Sequence, residues 1–321
     1  MAIDRTEITL EISPRARFDV VDVRRRVLEM HGTILEQYPR ALYCSYHTTA
    51  GYLDQNLVSR LNMTRDGVTP YLQAFQVVFP EGAGYQHDEL HLRRELSEEQ
   101  RRVEPRNGDS HLAFISAGLR PCVTYRHRSD EPVYFIDLDG VNGGCPRRRV
   151  TSILGFSAEE VVARDRLGIP VTTRAVDSVN LKDPCLGLFD QLEELIARHG
   201  VAKGCIHITL AAGERQAGLT INEYETLLMQ RDLPDVIRNP FRFMAEQRCR
   251  LLANSRAIRT RRTITCARFL KLQRSISLLV SDCGTGRGHL VQGRFQSPIL
   301  VQWGNAGGRT REIDVSLTRF H

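Results

Sequence analysis

The chain contains an internal repeat of about 165 residues, and this feature constrains the fold more than any other. Residues 134–150 read YFIDLDGVNGGCPRRRV and residues 299–315 read ILVQWGNAGGRTREIDV, each with an apolar strand, a glycine-rich turn, basic residues and a second strand. Earlier in each half, residues 41–56 (ALYCSYHTTAGYLDQN) and 208–223 (ITLAAGERQAGLTINE) are strands that run into Ala-Gly. The pattern predicts a tandem duplication of one domain.

The secondary-structure signals follow the same order in both halves. Helices are predicted over residues 20–37 and 188–199, the second because leucine and isoleucine recur at helical spacing before Gly200. Short β-rich strands are predicted at residues 6–12, 41–46, 133–138, 205–210 and 299–303. The expected fold class is α+β, with two tandem domains, each a mostly antiparallel β-sheet sandwich with flanking helices.

A boundary between the two domains is expected near the middle of the 321 residues. The segment from Ser157 to Ile169, SAEEVVARDRLGI, begins with a serine followed by two glutamates, as a capped helix would. We therefore expect a first domain at 1–155, a linker helix at 156–169 and a second, degenerate repeat at 170–321.

Composition excludes several classes of protein. Apolar residues make up 41% of the chain and charged residues 26%, which is typical of a globular protein and not of a disordered one. No apolar run reaches the roughly 20 residues that a membrane span needs, and residues 1–17 lack a hydrophobic signal core. Eight cysteines occur without a C-x-x-C pair, which favours reduced thiols. We expect a cytoplasmic protein with no membrane partner.

Positive charge is concentrated in one segment. The net charge is +6, but residues 242–274 hold ten bases and the single acid Glu246, a net of +9. Such a segment is either a solvated helix face or a surface that binds a polyanion. Nucleic acid is the less favoured partner, because no nucleic-acid-binding motif accompanies the charge. Arginine is also the usual basic residue throughout this chain, which contains only three lysines.

Histidines with nearby acidic residues indicate that a catalytic or metal-binding site lies in the first half. His47, His87 and His111 lie in SYHTTAGY, YQHDELH and NGDSHLAF. Histidine both ligates divalent metals and moves protons near neutral pH. The HDELH segment looks like the metalloprotease motif, but Asp88 is too short for the glutamate position and the segment follows a Pro-Glu-Gly-Ala-Gly loop. A protease is therefore not expected.

The first half resembles the YjbQ-like family, also called the secondary thiamine-phosphate synthase family. The motifs that carry the resemblance occur in order: His-Thr-Thr-Ala at 47–50, Gly-Tyr-Gln-His-Asp-Glu at 84–89, Asp-Ser-His-Leu at 109–112, and Asp-Gly at 139–140 with arginines at 147–149. They span residues 5–155, and the second half resembles the same family more faintly.

Each half lacks a motif that the other retains. The family has Asn-Glu after His-Thr-Thr-Ala, where the first half has Gln55-Asn56, but the second half has Asn222-Glu223. The second half in turn has Glu214-Arg215-Gln216 in place of His-Thr-Thr. Either the second half is a decayed structural partner, or the histidines of one half and Asn222-Glu223 of the other form a shared site.

The resemblance implies an enzyme that joins an aminopyrimidine diphosphate to a thiazole phosphate, acting on a small phosphorylated or anionic metabolite and assembling as a homo-oligomer. A metal-dependent hydrolase or lyase and a non-catalytic polyanion-binding scaffold remain alternatives. A divalent metal, zinc or magnesium, would lower the pKa of bound water. The expected metal ligands are His47, His87 and His111. The expected catalytic residues are His47, His87, His111, Asp109 and Glu223. The expected substrate-binding residues are Thr48, Thr49, Asn222, Arg147 and Arg149.

Overall fold

A computed structural model describes residues 6–128, 131–245, 270–304 and 310–321. The elements of the first half are β1 (Glu7–Ile12), β2 (Asp19–Asp22), α1 (Val23–His31), β3 (Arg40–Ser45), β4 (Ala50–Gly51), α2 (Gln55–Arg60), α3 (Arg65–Val78), α4 (Glu98–Val103), α5 (Gly108–Ala117), β5 (Cys122–Arg126), β6 (Tyr134–Asp137), β7 (Val141–Asn142), β8 (Cys145–Pro146) and β9 (Arg149–Phe156). Those of the second half are β10 (Glu159–Pro170), β11 (Asp177–Asn180), α6 (Leu188–His199), β12 (Gly204–Leu210), β13 (Ala217–Asn222), α7 (Leu233–Arg238), α8 (Arg242–Ala245), β14 (Ser275–Ser281), β15 (His289–Val291), β16 (Ser297–Gln302) and β17 (Thr310–Phe320). Single turns of 3₁₀-helix lie at Gln86–Asp88, Leu90–Leu92 and Pro184–Leu186, and a π-helical turn lies at Leu228–Asp232.

The two halves have the same strand order. In the first half a four-stranded sheet runs β1-β9-β3-β5 and a three-stranded sheet runs β2-β6-β4. In the second half the corresponding orders are β10-β17-β12-β14-β15 and β11-β16-β13. Every one of these pairings is antiparallel. The α+β class with antiparallel sheets and flanking helices is confirmed, and the shared order is what a tandem repeat requires.

Side chains of the larger sheets of both halves meet in one apolar cluster. The rings of Phe156 at the end of β9 and Phe320 at the end of β17 stack in parallel, with centroids 3.9 Å apart. Leu42, Leu154 and Leu279 belong to the same buried cluster. Burying apolar surface between the sheets is favourable by roughly 25 cal/mol per Å². The two halves therefore share part of their core.

Helix α5 is the element that places the candidate site in the interior. All ten of its residues are buried, because it lies among apolar side chains of the first half and also contacts β13 of the second. It ends at Gly118, which adopts the left-handed conformation that helix ends favour. A helix buried on every side has to satisfy its polar side chains with buried partners.

The predicted linker helix at 156–169 is wrong, because this segment is the long strand β10. It pairs with β17 along its length, from Glu159 opposite Phe320 to Pro170 opposite Thr310. The β-branched residues Val161 and Val162 suit this pairing, whereas the Ser-Glu-Glu start had indicated a helix cap. The strands of the second half thus begin with β10, as those of the first half begin with β1.

The predicted helix over 20–37 is partly wrong in the same way. Residues 19–22 form strand β2, and the helix α1 begins only at Val23 and ends at His31. Asp22 caps it by accepting a hydrogen bond from the Arg25 amide at 3.2 Å. The predicted helix over 188–199 is confirmed at both ends by α6.

Most of the basic segment at 242–274, including Arg259, Arg261 and Arg262, lies outside the described residues. In the part of the chain that the structure describes, no helix is both long and apolar enough to cross a membrane.

Candidate active site

The two halves meet at a buried cluster of polar side chains that includes residues of the predicted shared site. Helix α5 contributes His111, which is 1% exposed. Strand β13 ends at Asn222, and Glu223 follows directly. The His111 Nδ1 atom lies 2.7 Å from Asn222 Oδ1, and the His111 Nε2 atom lies 3.6 Å from Glu223 Oε2. The structure therefore brings together residues that are more than 100 positions apart in the chain.

The hydrogen bonds of Asn222 determine which nitrogen of His111 carries a proton. The Asn222 amide nitrogen donates to the carbonyl oxygen of Thr48 at 2.9 Å, so the Asn222 oxygen faces His111. Since that oxygen can only accept, His111 Nδ1 is the donor and the Nε2 lone pair points towards Glu223. Burial lowers the pKa of His111 well below its usual value, and the positive charge of His87 adds to this effect. His111 is therefore a neutral imidazole.

Glu223 connects this buried histidine to solvent. Its side chain is 18% exposed and lines a cleft of about 600 Å³ between the halves. Burial raises the pKa of Glu223, although His87 and Arg93 act in the opposite direction. A carboxyl group beside a neutral imidazole nitrogen can hold a proton that an ordinary glutamate would have lost. Of the two side chains, Glu223 is thus the one that a small molecule in the cleft can reach.

Arg93 holds the other oxygen of the Glu223 carboxyl group. Its guanidinium lies 3.2 Å from Glu223 Oε1, and it also binds Glu95 at 2.7 Å and Glu104 at 2.9 Å. Helix α4, which begins with a capping box formed by Ser97, ends just before Glu104 and so places that carboxylate. Three carboxylates neutralise the single charge of Arg93, which leaves it little attraction for a further anion.

The rim of the cleft has a different character. Arg294 and Phe295 precede strand β16, and the Phe295 side chain is 61% exposed. The guanidinium carbon of Arg294 lies 5.2 Å from the centroid of the Phe295 ring, a cation–π arrangement. Arg294 forms no ion pair with any residue that the structure describes. The rim therefore offers an unneutralised positive charge next to an aromatic face.

His87 lies beside His111 but has a different charge. The amide nitrogen of Asn107 donates to Asp139 at 2.8 Å, so the Asn107 oxygen faces His87 Nε2 at 3.2 Å. On the other side, His87 Nδ1 lies 3.1 Å from a Glu225 oxygen that also accepts the Leu228 amide. Both ring nitrogens therefore donate. Burial opposes the charge, but the hydrogen bond with Glu225 raises the pKa of His87. His87 is thus a buried imidazolium held by the second half.

His47 is a neutral acceptor at the end of strand β3. Its Nε2 atom accepts a hydrogen bond from the Val150 amide at 2.8 Å. Burial lowers the pKa of His47 to about 3, and the charges of Arg149 and Arg147 add to the effect. Gln296 of the second half donates to the His47 carbonyl oxygen at 2.9 Å. These contacts fix His47 in the interface between the halves, with Nε2 already used.

Asp109 and Arg147 belong to a second polar group on the other side of α5. Asp109 binds Arg17 at 2.8 Å, and burial raises the pKa of Asp109 to about 6, although Arg17 lowers it. Arg147 forms an ion pair with the buried Asp139, and about a third of its side chain is exposed. Arg17 reaches Asp139 as well, at 3.9 Å. The hydrogen bonds of the Asp109 carboxylate go to Arg17 and Ser110, which places Asp109 in this group and not with Glu223.

Two of the expected substrate-binding residues lie in the core. Arg149 is buried, with hydrogen bonds of 2.6 Å and 2.8 Å to Asp137 and one of 3.3 Å to the Thr49 hydroxyl. Thr49 is likewise buried. Thr48 is half-buried and contacts the site through its carbonyl oxygen, which Asn222 binds. Arg149 and Thr49 thus support the end of strand β3 in this structure.

The three histidines do not fit a shared metal site in this arrangement. His47 uses Nε2 for the Val150 amide, and His87 uses both nitrogens as donors, whereas a metal ligand needs a free lone pair. Among the described residues there is no group of three or more histidine, cysteine, aspartate or glutamate side chains placed to hold a metal ion. In this arrangement the three histidines act as hydrogen-bond donors and acceptors.

Sequence analysis missed the carboxylates that hold His87 from the second half. Glu225 binds its ring, and Asp232 accepts its backbone amide at 2.9 Å and that of Gln86 at 3.0 Å. Burial raises the pKa of Asp232 to about 6, against the two amides. For Glu225, the one signal in the sequence was its position two residues after Glu223. For Asp232 there was no signal, because nothing in the sequence pairs residue 87 with residue 232.

No protein-family model and no curated protein matches the chain. Solved structures do show a likeness. A YbjQ-like protein of unknown function from Sulfolobus solfataricus is 21% identical, with 50% of this chain and 99% of that chain covered and a TM-score of 0.32. An uncharacterised protein of the YjbQ/UPF0047 family from Clostridium acetobutylicum is 15% identical, with 48% and 98% covered and a TM-score of 0.29.

A conserved hypothetical protein from Thermus thermophilus is 19% identical, with 49% of this chain and 99% of that chain covered and a TM-score of 0.28. Each of these three chains is thus matched over nearly its whole length by about half of the present chain. As the four sequence motifs predict, the chain is similar to YjbQ-like proteins.

Proposed function

We propose that the chain is an enzyme that acts on a small metabolite by proton transfer, with Glu223 as the acid–base group. The observation that carries the proposal is the position of this carboxyl group, which lies between the cleft and the neutral Nε2 atom of His111, 3.6 Å away. Asn222 keeps His111 in the tautomer that directs its lone pair at Glu223. Because burial raises the pKa of Glu223 and lowers that of His111, a proton exchanged with a substrate stays on Glu223, beside the neutral imidazole.

A phosphorylated substrate with a planar ring fits the cleft. Its phosphate would lie at Arg294, the unneutralised charge of the rim, and its ring would stack on Phe295. The reacting atoms would then lie deeper, at Glu223. The deep part of the cleft itself is acidic, since Glu95, Glu104 and Glu223 share the charge of Arg93. The anionic groups of both substrates would therefore lie towards the rim, with only uncharged atoms near Glu223.

The specific reaction that we propose is the one that the family resemblance implies, the joining of an aminopyrimidine diphosphate to a thiazole phosphate. The thiazole nitrogen forms a bond to the methylene carbon of the pyrimidine, the bond from that carbon to the diphosphate oxygen breaks, and Glu223 gives its proton to the departing pyrophosphate. The pyrimidine would stack on Phe295 with its diphosphate at Arg294. A hydrolase or lyase would use the same residues, again with Glu223 giving its proton to a leaving group. The polyanion-binding scaffold depends on Arg259, Arg261 and Arg262, which the structure does not describe.

The test is an assay for inorganic pyrophosphate and for the joined product, with the two phosphorylated rings as substrates. Glu223→Gln removes the titratable carboxyl group while keeping the size of the side chain, so we expect kcat to fall by about 100-fold or more. Glu95→Gln is the matched control, because Glu95 also binds Arg93 and the residue is half-exposed. We expect its kcat to stay within a few-fold of the original.

Binding is measured in parallel to separate the reaction from the substrate class. Arg294→Ala should weaken binding of the pyrimidine diphosphate in calorimetry about 10-fold or more, with little effect on folding because Arg294 lies at the surface of the cleft rim. Unchanged turnover in Glu223→Gln would disprove the acid–base role. Binding without turnover of this pair would reject the transfer reaction and direct the search to hydrolysis or elimination of related phosphorylated rings.

A further inference from the structure

The two halves form a second cleft, of about 600 Å³, which shares no lining residue with the cleft of Glu223. The first half lines it with Arg40 on β3, with Arg126 on β5 and with the first turn of α2. The second half lines it with Glu159 on β10 and His207 on β12. The proposed function uses none of these side chains, so the second cleft is free for another ligand.

The second cleft lies at the repeat counterpart of the proposed active site. When residues 41–56 are aligned with residues 208–223, Gln55 and Asn56 take the positions of Asn222 and Glu223. Both Gln55 and Asn56 line the second cleft, as Glu223 lines its own. The amide of Asn56 does not titrate, so this position cannot exchange a proton as Glu223 does. The second cleft therefore has the location of a binding site without its acid–base group.

Two arginines lie directly opposite each other in the wall of the second cleft. Arg40 of β3 is the partner of Arg126 of β5 in the antiparallel register. The adjoining pair is joined by a hydrogen bond of 2.8 Å from the His127 amide to the Pro39 carbonyl oxygen. The two arginines therefore occupy a position without such bonds, where opposite side chains approach most closely. Like charges at directly opposite positions destabilise a sheet, and a bound anion would offset that repulsion.

The acidic residues nearby leave Arg126 without a counter-charge. Arg40 forms an ion pair of 2.5 Å with Glu159 of the second half. Arg128 forms an ion pair of 3.5 Å with Glu131. Arg126 forms no ion pair with any residue in the described part of the chain. The charge of Arg126 is thus open to an anion in the second cleft.

Hydrogen bonds fix the backbone of Arg126 and engage the other acid of the cleft. The Gln55 side chain donates to the Arg126 carbonyl oxygen at 2.9 Å and accepts from the Arg126 amide at 3.0 Å. Asp54 caps helix α2 by accepting from the Asn56 amide at 3.0 Å. Burial lowers the pKa of Arg120, and the charge of Asp54 opposes this effect. Asp54 therefore interacts with helix α2 and with Arg120, and it forms no ion pair with Arg126.

Hydrogen-bonding side chains line the second cleft beside the two arginines. Thr124 is exposed and lies on the same face of β5 as Arg126. From the second half, the Nδ1 atom of His207 lies 3.0 Å from the Ser277 hydroxyl, and no residue that the structure describes binds its Nε2 atom. When the hydroxyl donates to Nδ1, the ring carries its proton on Nε2. Guanidinium groups with such donors beside them are suited to the oxygens of a phosphate group.

We propose that the second cleft binds a phosphate group, free or carried by a small metabolite, as a non-catalytic site. Arg126 and Arg40 contact the phosphate oxygens. Asn56, Thr124 and His207 donate hydrogen bonds to them. A volume of about 600 Å³ is in the range of small-molecule sites, so an organic part has room as well. Because residues of both halves line the cleft, a bound phosphate stabilises the folded chain.

Calorimetry on the full chain, with inorganic phosphate and with ribose 5-phosphate, tests the proposal. All proteins carry Arg294→Ala, so that the rim of the other cleft contributes no phosphate site. In this background Arg126→Gln should weaken the binding of both compounds by about 10-fold or more, because the charge-assisted hydrogen bonds are lost. Arg287→Gln is the matched control, since Arg287 is exposed and lines neither cleft, and it should bind as before.

The two compounds separate the two sources of phosphate. Tighter binding of ribose 5-phosphate would identify a phosphorylated metabolite as the ligand, and equal affinities would identify the free ion. The proposal is overturned by equal affinities of Arg126→Gln and its parent, or by the absence of binding in the Arg294→Ala background.

Thermal unfolding separates loss of the site from loss of the fold. Without phosphate, Arg126→Gln should unfold at the same temperature as its parent or a higher one, because the repulsion with Arg40 is removed. Phosphate should raise the Tm of the parent and raise that of Arg126→Gln much less. Glu223→Gln should show the full rise, since Glu223 lies in the other cleft, so this result does not depend on the proposed reaction. A lower Tm of Arg126→Gln without phosphate would show that Arg126 stabilises the fold itself and would contradict the proposal.

Discussion

Two neighbouring histidines of the candidate site differ in charge although their ring centroids lie only 5.0 Å apart. The difference follows from their partners. His87 donates to a carboxylate of Glu225 on one side and to an amide oxygen on the other, so it keeps both protons. His111 has an amide oxygen on one side only, and the charge of His87 adds to the burial that lowers the pKa of His111. Single hydrogen-bond partners thus decide which of the two histidines carries a positive charge.

His47 makes the stability of the fold depend on pH. Its pKa is about 3 in the folded chain, against about 6.5 for an unfolded one, so between these values only the unfolded state binds the proton. The contribution of His47 to the free energy of unfolding is therefore at its maximum above pH 6.5 and is lost as the pH drops towards 3. Between pH 6.5 and pH 5 the loss from this residue should be about 2 kcal/mol.

Urea unfolding at these two pH values measures the effect. In His47→Gln the amide oxygen can still accept the Val150 amide but does not titrate. The change in the free energy of unfolding between the two pH values should therefore be smaller by most of that amount. His91→Gln is the control, since His91 is 72% exposed. The same pH dependence in His47→Gln and the original protein would show that His47 is protonated normally in the fold.

At the scale of single elements, strand β12 is held from both sides, by β14 and by β17. Gly204, its first residue, packs so closely that a Cβ atom there would lie 2.0 Å from the Thr318 carbonyl oxygen. Because that neighbour is backbone of a paired strand, it cannot turn away. A side chain at this position therefore has to push the two strands apart.

Gly204→Ala should lower the free energy of unfolding by about 2 kcal/mol or more, as overpacking of a tight core does. Gly213→Ala serves as the comparison, because a Cβ atom there meets nothing within 4 Å. Its stability should stay within about 0.5 kcal/mol of the original. Chemical denaturation followed by circular dichroism measures both, and equal stabilities would show that β12 and β17 can separate at little cost.

Elements were predictable from the sequence where a local pattern decided them. The helical spacing of Leu188, Leu192 and Ile196, with Gly200 as the stop, predicted both ends of α6 correctly. One apolar face is enough to identify a helix that packs against a sheet. Strand β10 was not predictable in this way. Its partner β17 lies about 150 residues away, and only that pairing outweighs the local resemblance of Ser157-Ala158-Glu159-Glu160 to a helix start.

At the scale of the whole molecule, the stacked rings of Phe156 and Phe320 join the apolar cores of the two halves, so we expect the halves to unfold together. We expect a single unfolding transition. Trp303, the only tryptophan, reports on the second half by fluorescence, while circular dichroism reports on both. The two signals should change at the same denaturant concentration.

Phe156→Ala tests this coupling from the first half. Removing the ring should lower the free energy of unfolding by about 3 kcal/mol and move the Trp303 signal together with circular dichroism. Leu28→Ala, at a half-exposed position on α1, should change little. A shift in circular dichroism without a shift in fluorescence would mean that the halves unfold independently.

The contact of His111 with Asn222 and Glu223 was predictable in part because the motifs of the two halves are complementary. The first half retains the histidines and the second half retains Asn222-Glu223, which suggested that they lie together. The structure places His111 in contact with both Asn222 and Glu223. The roles within the cluster were not predictable. Whether His87 is charged depends on Glu225, 138 positions away, and such long-range contacts arise only from the packing of the two halves.

Because Glu223 and His111 belong to one polypeptide, their meeting does not depend on how much protein is present. A site assembled from separate chains comes apart when the chains are diluted below their dissociation constant. A covalent connection replaces that equilibrium by an effective concentration, which is in the millimolar range for short flexible links. Activity per molecule should therefore remain constant down to trace amounts of the protein.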